Sequence, residues 1–308
     1  MPQKLYFGVD VGGTFTKIAL VDAKGRLIAK SRVSSAGFSD KVFFVKTLRS
    51  AIYSILSDSK FSYRQVDGIG VGLPGPVDFK RGVVLSLTNI EGWDRFPLRA
   101  YLGRYFDAPV FIENDANCMA LAESRMGAAA GSRYSLCVTL GTGVGGGVIL
   151  DGKIYRGPYF LGGEIGHMPI SADGPVCQCG GRACLEKYVG NRYLLERAKR
   201  VFRKSIPLEE ISGMADSGNK KAVEFWKETG ATLGLAIAGF INIFNPEVVV
   251  VGGGVAQAGN VLIDSIRKTV ERHAMKQLKH KVKIRKAALG NDAGVLGAAL
   301  LAEEYKSL

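Results

Sequence analysis

Twice along this chain a short apolar run breaks into a glycine-rich turn and resumes as a second apolar run. The first instance is Leu5 to Asp10, the turn Asp10-Val11-Gly12-Gly13-Thr14, and Lys17 to Val21, closed by Asp22-Ala23-Lys24-Gly25. The second is Ser135 to Leu140, the turn Gly141-Thr142-Gly143-Val144-Gly145-Gly146-Gly147, and Val148 to Leu150, closed by Asp151-Gly152-Lys153. Two such units about 130 residues apart predict two half-domains of similar fold facing each other across a cleft. Glycine lets backbone N–H groups approach an anion with no Cβ in the way, and Thr14 adds a hydroxyl donor, so each turn is a candidate phosphate cradle. One glycine turn between strands is ordinary hairpin chemistry, and it is the repetition that points to a polyphosphate held by both. Neither turn reads GxxxxGK[ST], and neither fits GxGxxG opening a helix with an acidic residue about 20 positions on, which disfavours a dinucleotide oxidoreductase.

Between the two units, apolar residues at 42, 45, 48, 52 and 55 predict a core-facing helix over Val42 to Leu56. Val66 to Val71 reads as a strand entering Gly72-Leu73-Pro74-Gly75-Pro76-Val77-Asp78, a rigid loop whose backbone either faces a ligand or simply turns the chain. Asn89 lies in the loop Thr88 to Trp93, where its amide serves a hydroxylated ligand or its own backbone. Val110 to Ile112 is a strand followed by Glu113-Asn114-Asp115-Ala116-Asn117 and a helical run ending near Gly127. At that junction Asp115 suits a helix N-cap and a general base beside the Asn114 amide equally well. Later, a long helix through Phe225, Leu233 and Ile237 leads to Val248 to Val251 running into Gly252-Gly253-Gly254, a strand buried on both faces whose loop admits a flat ligand such as a nucleoside. Asn291 and Asp292 are positioned to cap a last helix, Ala293 to Tyr305.

The stretch from Gly163 to Glu186 gathers His167, Cys177, Cys179 and Cys184 between two carboxylates, Glu164 and Glu186. One imidazole and three thiols are the ligand set of a closed, structural Cys3His zinc site with no position left for a catalytic water. Glu164 and His167, three apart, share one face if the segment is helical. The carboxylates flanking this clip suggest a polar small molecule beside it. Cys118 and Cys137 sit in apolar stretches and read as buried small hydrophobes, so a disulfide framework is not expected.

With 47% hydrophobic and 22% charged residues among 308, the chain is globular with ample core. MPQKLYFGVD lacks the apolar middle of a secretion signal, and Ala231 to Pro246, interrupted by Asn242, falls short of the roughly 18 apolar residues of a membrane span. A cytoplasmic protein without a membrane partner is expected. The net charge of +13 is spread over many segments. Only KQLKHKVKIRK, Lys276 to Lys286, is dense, and its alternation predicts a strand with one solvated basic face. The charge therefore fits attraction of an anionic small substrate better than a nucleic-acid partner.

Taken in order, DVGGT at 10–14, GLPGPVD at 72–78, ENDAN at 113–117, GTGVGGG at 141–147, GEIGH at 163–167, CQCGGRACLE at 177–186 and VVGGG at 250–254 resemble the ROK family of bacterial sugar kinases and sugar-responsive repressors, over nearly the whole chain. Ala183 departs from that pattern, which usually has glycine there. The resemblance implies an α/β fold of the two-lobed, actin-like ATPase (ribonuclease H-like) kind with the active-site cleft between lobes. The expected lobes are residues 1–115, completed by a helix at 292–308, and residues 116–291, carrying the zinc segment 163–186. It implies ATP and Mg²⁺ as well as structural Zn²⁺, and a homodimer or homotetramer. By position, Asp10 would organise magnesium, and Gly12, Gly13, Thr14, Lys17, Gly141, Thr142, Gly143 and Gly145 would hold phosphates. Gly252, Gly253 and Gly254 would border the adenosine. Gly75, Asn89, Asn114, Glu164, His167 and Glu186 would bind the sugar, with Asp115 as base and His167 shared between zinc and sugar. The expected reaction is phosphorylation of glucose to glucose 6-phosphate, with 2-acetamido sugars or fructose as alternative acceptors and polyphosphate as an alternative donor. A repressor is disfavoured, because only nine residues precede Asp10.

Overall fold

The computed structural model describes residues 3–87 and 90–306; Asn89, expected in the sugar site, lies outside them. In chain order the regular elements begin with β1 (Leu5–Val11), β2 (Phe15–Asp22), β3 (Leu27–Ser34), α1 (Lys41–Asp58), β4 (Val66–Leu73), β5 (Val77–Asp78), β6 (Val83–Val84), α2 (Leu98–Leu102), β7 (Val110–Asn114) and α3 (Asp115–Met126). They continue with β8 (Ser135–Leu140), β9 (Val144–Leu150), β10 (Lys153–Ile154), α4 (Glu186–Val189), α5 (Asn191–Phe202), α6 (Leu208–Asp216), α7 (Lys220–Phe244), β11 (Val248–Gly252), α8 (Asn260–His273), β12 (Lys283–Lys286) and α9 (Ala293–Tyr305).

Two five-stranded sheets are built to one plan. The first has the order β3-β2-β1-β4-β7 and the second β10-β9-β8-β11-β12. In each, the first three strands of the unit meander antiparallel, and the last two run parallel to the first. Counted within its own unit, each sheet reads 3-2-1-4-5. This is the ribonuclease H-like sheet, present twice as in the actin-like ATPases. The chain divides into one compact unit of residues 1–122, 156–162 and 291–308 and another of 123–155 and 163–290.

In the first unit β1 and β4 are buried almost throughout, and α9 lies directly on them. Glycine makes that approach possible: a Cβ at Gly8 would collide with the Val295 carbonyl, and one at Gly70 with the Ala298 carbonyl. On α1, Val45, Leu48, Ile52 and Ile55 are buried as the stripe predicts. Val42 is 50% exposed instead: it sits in the first turn, where Asp40 caps the helix, and Phe44 takes its place in the core. In the second unit α7 buries Phe225, Trp226, Leu233, Ile237 and Ile241 and packs on α8 through Gly230 and Gly234. Among the described residues no helix is long and apolar enough to cross a membrane. Cys118 and Cys137 are fully buried, as their apolar surroundings predict.

Three local expectations are corrected. The second glycine turn is shorter than its sequence suggests. Gly145, Gly146 and Gly147 belong to β9, opposite Thr139, Val138 and Cys137, and only Gly141 to Gly143 form the turn. Gly146 is small because Ile165 packs on it, a close approach rather than a bend. Of Lys276 to Lys286, only Lys283–Lys286 is a strand; the preceding residues form turns closed by Leu278 and Lys279 donating to the Met275 carbonyl. Asp292 occupies the N-cap position of α9 without a side-chain cap bond, since its carboxylate pairs with Lys30 at 2.7 Å.

Candidate active site

In the first unit the site begins where β1 ends. The Asp10 carboxylate lies against Gly294 in the first turn of α9, where a Cβ would stand 2.8 Å from Oδ2. Burial pushes its pKa up, and Lys17, with Nζ 3.7 Å from Oδ2, opposes that rise. Lys17 also donates to the Asn291 carbonyl at 2.5 Å, which ties β2 to the entry of α9. The turn between β1 and β2 is held by Gly12 N–H donating to the Phe15 carbonyl at 3.1 Å, and Gly13 and Thr14 are exposed on it.

β7 delivers Glu113, Asn114 and Asp115 to the head of α3. Asn114 Oδ1 accepts from the Ala116 and Asn117 N–H groups at 3.0 and 3.1 Å, the geometry of an N-cap. Its Nδ2 donates to the Gly75 carbonyl at 3.2 Å, so the Gly75 loop is pinned to the same junction. Asn114, not Asp115, thus makes the cap that the sequence offered as one of two roles for Asp115. Asp115 is the first helical residue, and its Oδ1 accepts from Ala116 N–H at 2.8 Å. Beneath it Glu113, 2% exposed, accepts from Asn114 N–H, from Asn117 Nδ2 and, at 2.6 Å, from Arg156 Nε. Sequence reading missed Arg156, because its partner lies 43 residues away and no local pattern links the two.

In the second unit the β8–β9 turn carries Gly141, Thr142 and Gly143. Glu186, at the head of α4, accepts from Val144 N–H at 3.0 Å, and its carboxylate fills the space a side chain at 143 would need. Gly253, with φ of +86°, lies so close to Leu140 that only glycine fits. Gly252 closes β11 opposite Thr139, and Gly254 begins a short 3₁₀ turn. A cavity of about 310 Å³ brings these segments together, lined by Gly141, Thr142 and Gly254 and also by Glu209, Ser212 and Asp216 of α6. The α6 residues carry no motif, and only the fold brings them to the glycine turns.

The metal-ligand candidates converge. The ligand atoms of His167, Cys177, Cys179 and Cys184 all lie within 4.8 Å of one another. His167 Nδ1 is 3.7 Å from Cys177 Sγ, and Cys179 Sγ is 3.6 Å from Cys184 Sγ. A tetrahedral zinc with sulfur and nitrogen ligands sets edges of about 3.6–3.8 Å, so the donor set and these spacings fit the ion. The loop is shaped by backbone bonds between Cys177 and Gly181 and by bridges pairing Val176 with Arg182 and Pro169 with Cys184. Ala183 adopts φ of +52°, the left-handed region that favours glycine, with its methyl fully buried. The other ring nitrogen of His167 faces Glu164, 3.9 Å from Oε2. Burial raises the Glu164 pKa; His167 counteracts it, and the Glu186 carboxylate adds to it.

A family model described as the ROK family matches residues 6–305. A glucokinase of Halalkalibacterium halodurans is 33% identical, over 100% of this chain and 97% of its own length. The crystal structure of a ROK hexokinase from Thermus thermophilus superposes with a TM-score of 0.84 at 35% identity, covering 99% of this chain and 100% of that one. A ROK family glucokinase from Streptomyces griseus, solved in complex with glucose and AMPPNP, gives 0.83 at 32% identity, over 97% of this chain and 99% of that one. The match runs from the first strand into the last helix and includes both glycine turns, the β7–α3 junction and the cysteine clip, and the chain belongs to the ROK family.

Proposed function

We propose that this chain is a hexokinase-type enzyme that transfers the γ-phosphoryl group of ATP to a hexose, glucose foremost, with Asp115 as general base. The observation that carries this reading is the β7–α3 junction: Asn114 Oδ1 caps the helix, and Asp115 stands beside it as the first helical residue, a carboxylate held by the same helix head. A sugar hydroxyl is a poor nucleophile. Asp115 accepts its proton as the oxygen bonds to the γ-phosphorus, the bond from phosphorus to the bridging oxygen breaks, and ADP leaves. The open main chain of Gly13 and Thr14 and, in the second turn, Thr142 and Gly143 offer N–H donors to phosphoryl oxygens, the Gly141 N–H being taken by the Gly143 carbonyl. Asp10 is the residue to hold Mg²⁺, which when bound neutralises phosphate charge.

The sugar-binding roles go to Glu164, His167 and Glu186 in the second unit and to Asn114 and Gly75 in the first. His167, Cys177, Cys179 and Cys184 would hold zinc, which would fix the imidazole; its Nδ1 lies beside Cys177 Sγ and its Nε2 faces Glu164. The donor cavity has Glu209 and Asp216 in its lining and no lysine or arginine, which suits a nucleoside's hydroxyl and amino groups and repels an inorganic polyphosphate chain.

The test is a sugar panel assayed with ATP and with polyphosphate on wild type and Asp115→Asn. Wild type is expected to prefer glucose and ATP, and the variant to fold normally and turn over roughly 10²- to 10⁴-fold more slowly. Near-normal turnover removes Asp115 as base. A better kcat/KM for N-acetylmannosamine, N-acetylglucosamine or fructose reassigns the acceptor. Sugar binding without any turnover makes the chain a sugar-responsive regulator.

A further inference from the structure

A second cavity, of about 520 Å³, opens in the first unit and shares none of the residues assigned above to sugar, nucleotide or metal. Its walls are aromatic, from Phe79, Phe111 and Tyr305, and its charged lining consists of Lys80, Arg99 and Arg156, with no acidic side chain among the lining residues.

The three cations are not equivalent. Arg156 is neutralised: it pairs with buried Glu113 at 2.6 Å, donates to the Tyr305 hydroxyl at 3.0 Å and lies 3.9 Å from the Phe79 ring centre. Arg99 is held by main-chain oxygens only, donating to the Phe79 carbonyl at 2.5 Å and the Lys80 carbonyl at 3.1 Å. Its Nε is buried with no partner among the described residues, and burial lowers its pKa against the more distant pull of Asp78. That carboxylate is itself 3.9 Å from Arg81. Lys80 is exposed at the rim. The cavity therefore carries two cations with no ion pair of their own among the described residues, Arg99 feeling the Asp78 carboxylate and Lys80 standing exposed, set against aromatic walls. Two main-chain carbonyls and the Asp78 carboxylate offset the burial of Arg99 only in part, since its pKa still falls, and an anion from solution would complete the site.

We infer that this cavity is a binding site for a small organic anion with a flat apolar body, a carboxylate or phosphate on one or two rings. Its size is that of a small-molecule pocket, and its mostly apolar lining with a few polar groups is the composition such pockets have. The rings stack on Phe79, Phe111 and Tyr305, and the anionic group is taken by Arg99 and Lys80. This site does not depend on which sugar the enzyme phosphorylates, or on whether it phosphorylates one.

The probe is 2-naphthoate, with the uncharged 2-naphthamide as its matched control, titrated calorimetrically into the full chain with glucose and AMPPNP saturating. Naphthoate is expected to bind roughly tenfold or more tightly than the amide. Lys80→Glu, at an exposed position, is expected to weaken naphthoate by about tenfold and leave the amide unchanged. Arg99→Lys, which keeps the charge but loses the fork, is expected to weaken it less than Lys80→Glu does. Equal affinity for acid and amide, naphthoate binding indifferent to Lys80→Glu, or no binding at millimolar concentration overturns the assignment.

Discussion

Asp10 is a charge held where burial penalises it. Its side chain is 19% exposed, and Lys17 compensates the lost hydration only in part, so its pKa rises. A carboxyl whose folded pKa exceeds its unfolded one contributes stability in its protonated form below the unfolded pKa, and that contribution is lost as pH rises through the folded pKa. An ionised Asp10 is therefore a cost to the fold, borne in the proposed mechanism for Mg²⁺. Asp10→Asn is expected to melt at or above the wild-type temperature at pH 7.5 without ligands, and the difference should close toward pH 4, while turnover collapses. Paired thermal melts at the two pH values check this, and a variant clearly less stable at pH 7.5 contradicts it. Ala183 shows a smaller conflict. The left-handed backbone costs a non-glycine residue about 1–2 kcal/mol, and burying the methyl returns roughly 0.8 kcal/mol, so the departure from the family's glycine leaves a net cost of up to about 1 kcal/mol. The cysteine set was legible because the residue types and their spacing define the ligand chemistry, whereas the role proposed for Asp10 came from the family resemblance. Glu209, Asp216 and Arg156 were not legible, because their meaning depends on partners brought together by the fold.

At the scale of elements, the metal clip joins a single 3₁₀ turn at Ile165–His167 to the loop of Cys177, Cys179 and Cys184. The segment has little regular structure, and in the proposed reading a structural zinc would add to its stability, an ion worth about 10–16 kcal/mol in isolated finger peptides. Cys179→Ser, at the most exposed of the three thiols, is expected to lower bound zinc per chain and raise the KM for sugar well before the KM for ATP. Metal analysis beside the two KM values tests this; full zinc content with an unchanged sugar KM contradicts it. Other elements show why pattern reading stops short. Glycine in sequence reads as a turn, yet Gly145 to Gly147 are strand residues, and at Gly146 the missing side chain serves packing against Ile165. Alternation of lysine with apolar residues over 276–286 reads as a strand, but only the last four residues find β11 to pair with.

At the scale of the molecule, the repeated strand, turn, strand unit was the legible feature, and the structure extends it to two complete 3-2-1-4-5 sheets. The repeat alone does not reveal that the first unit takes in residues 291–308 as well as 1–122; it was the family resemblance that implied a last helix completing the first lobe. Its sheet is covered by α9, whose backbone meets Gly8 and Gly70 directly. Ending the chain after Gly290 is expected to leave a protease-resistant core within residues 123–290 and to lose resistance over 3–122. Limited proteolysis with mass mapping checks this, and wild-type resistance of the first sheet contradicts it.

The same feature sets an order on the ribosome. Residues 5–73 supply the sheet strands that are translated first, yet the helix that covers them begins at Ala293. At about 5–20 residues per second, the nascent first sheet waits on the order of ten seconds or more with that apolar face uncovered, while the second unit emerges and folds. The sheet that is made first is thus finished last, and the interval is when this chain most needs a chaperone.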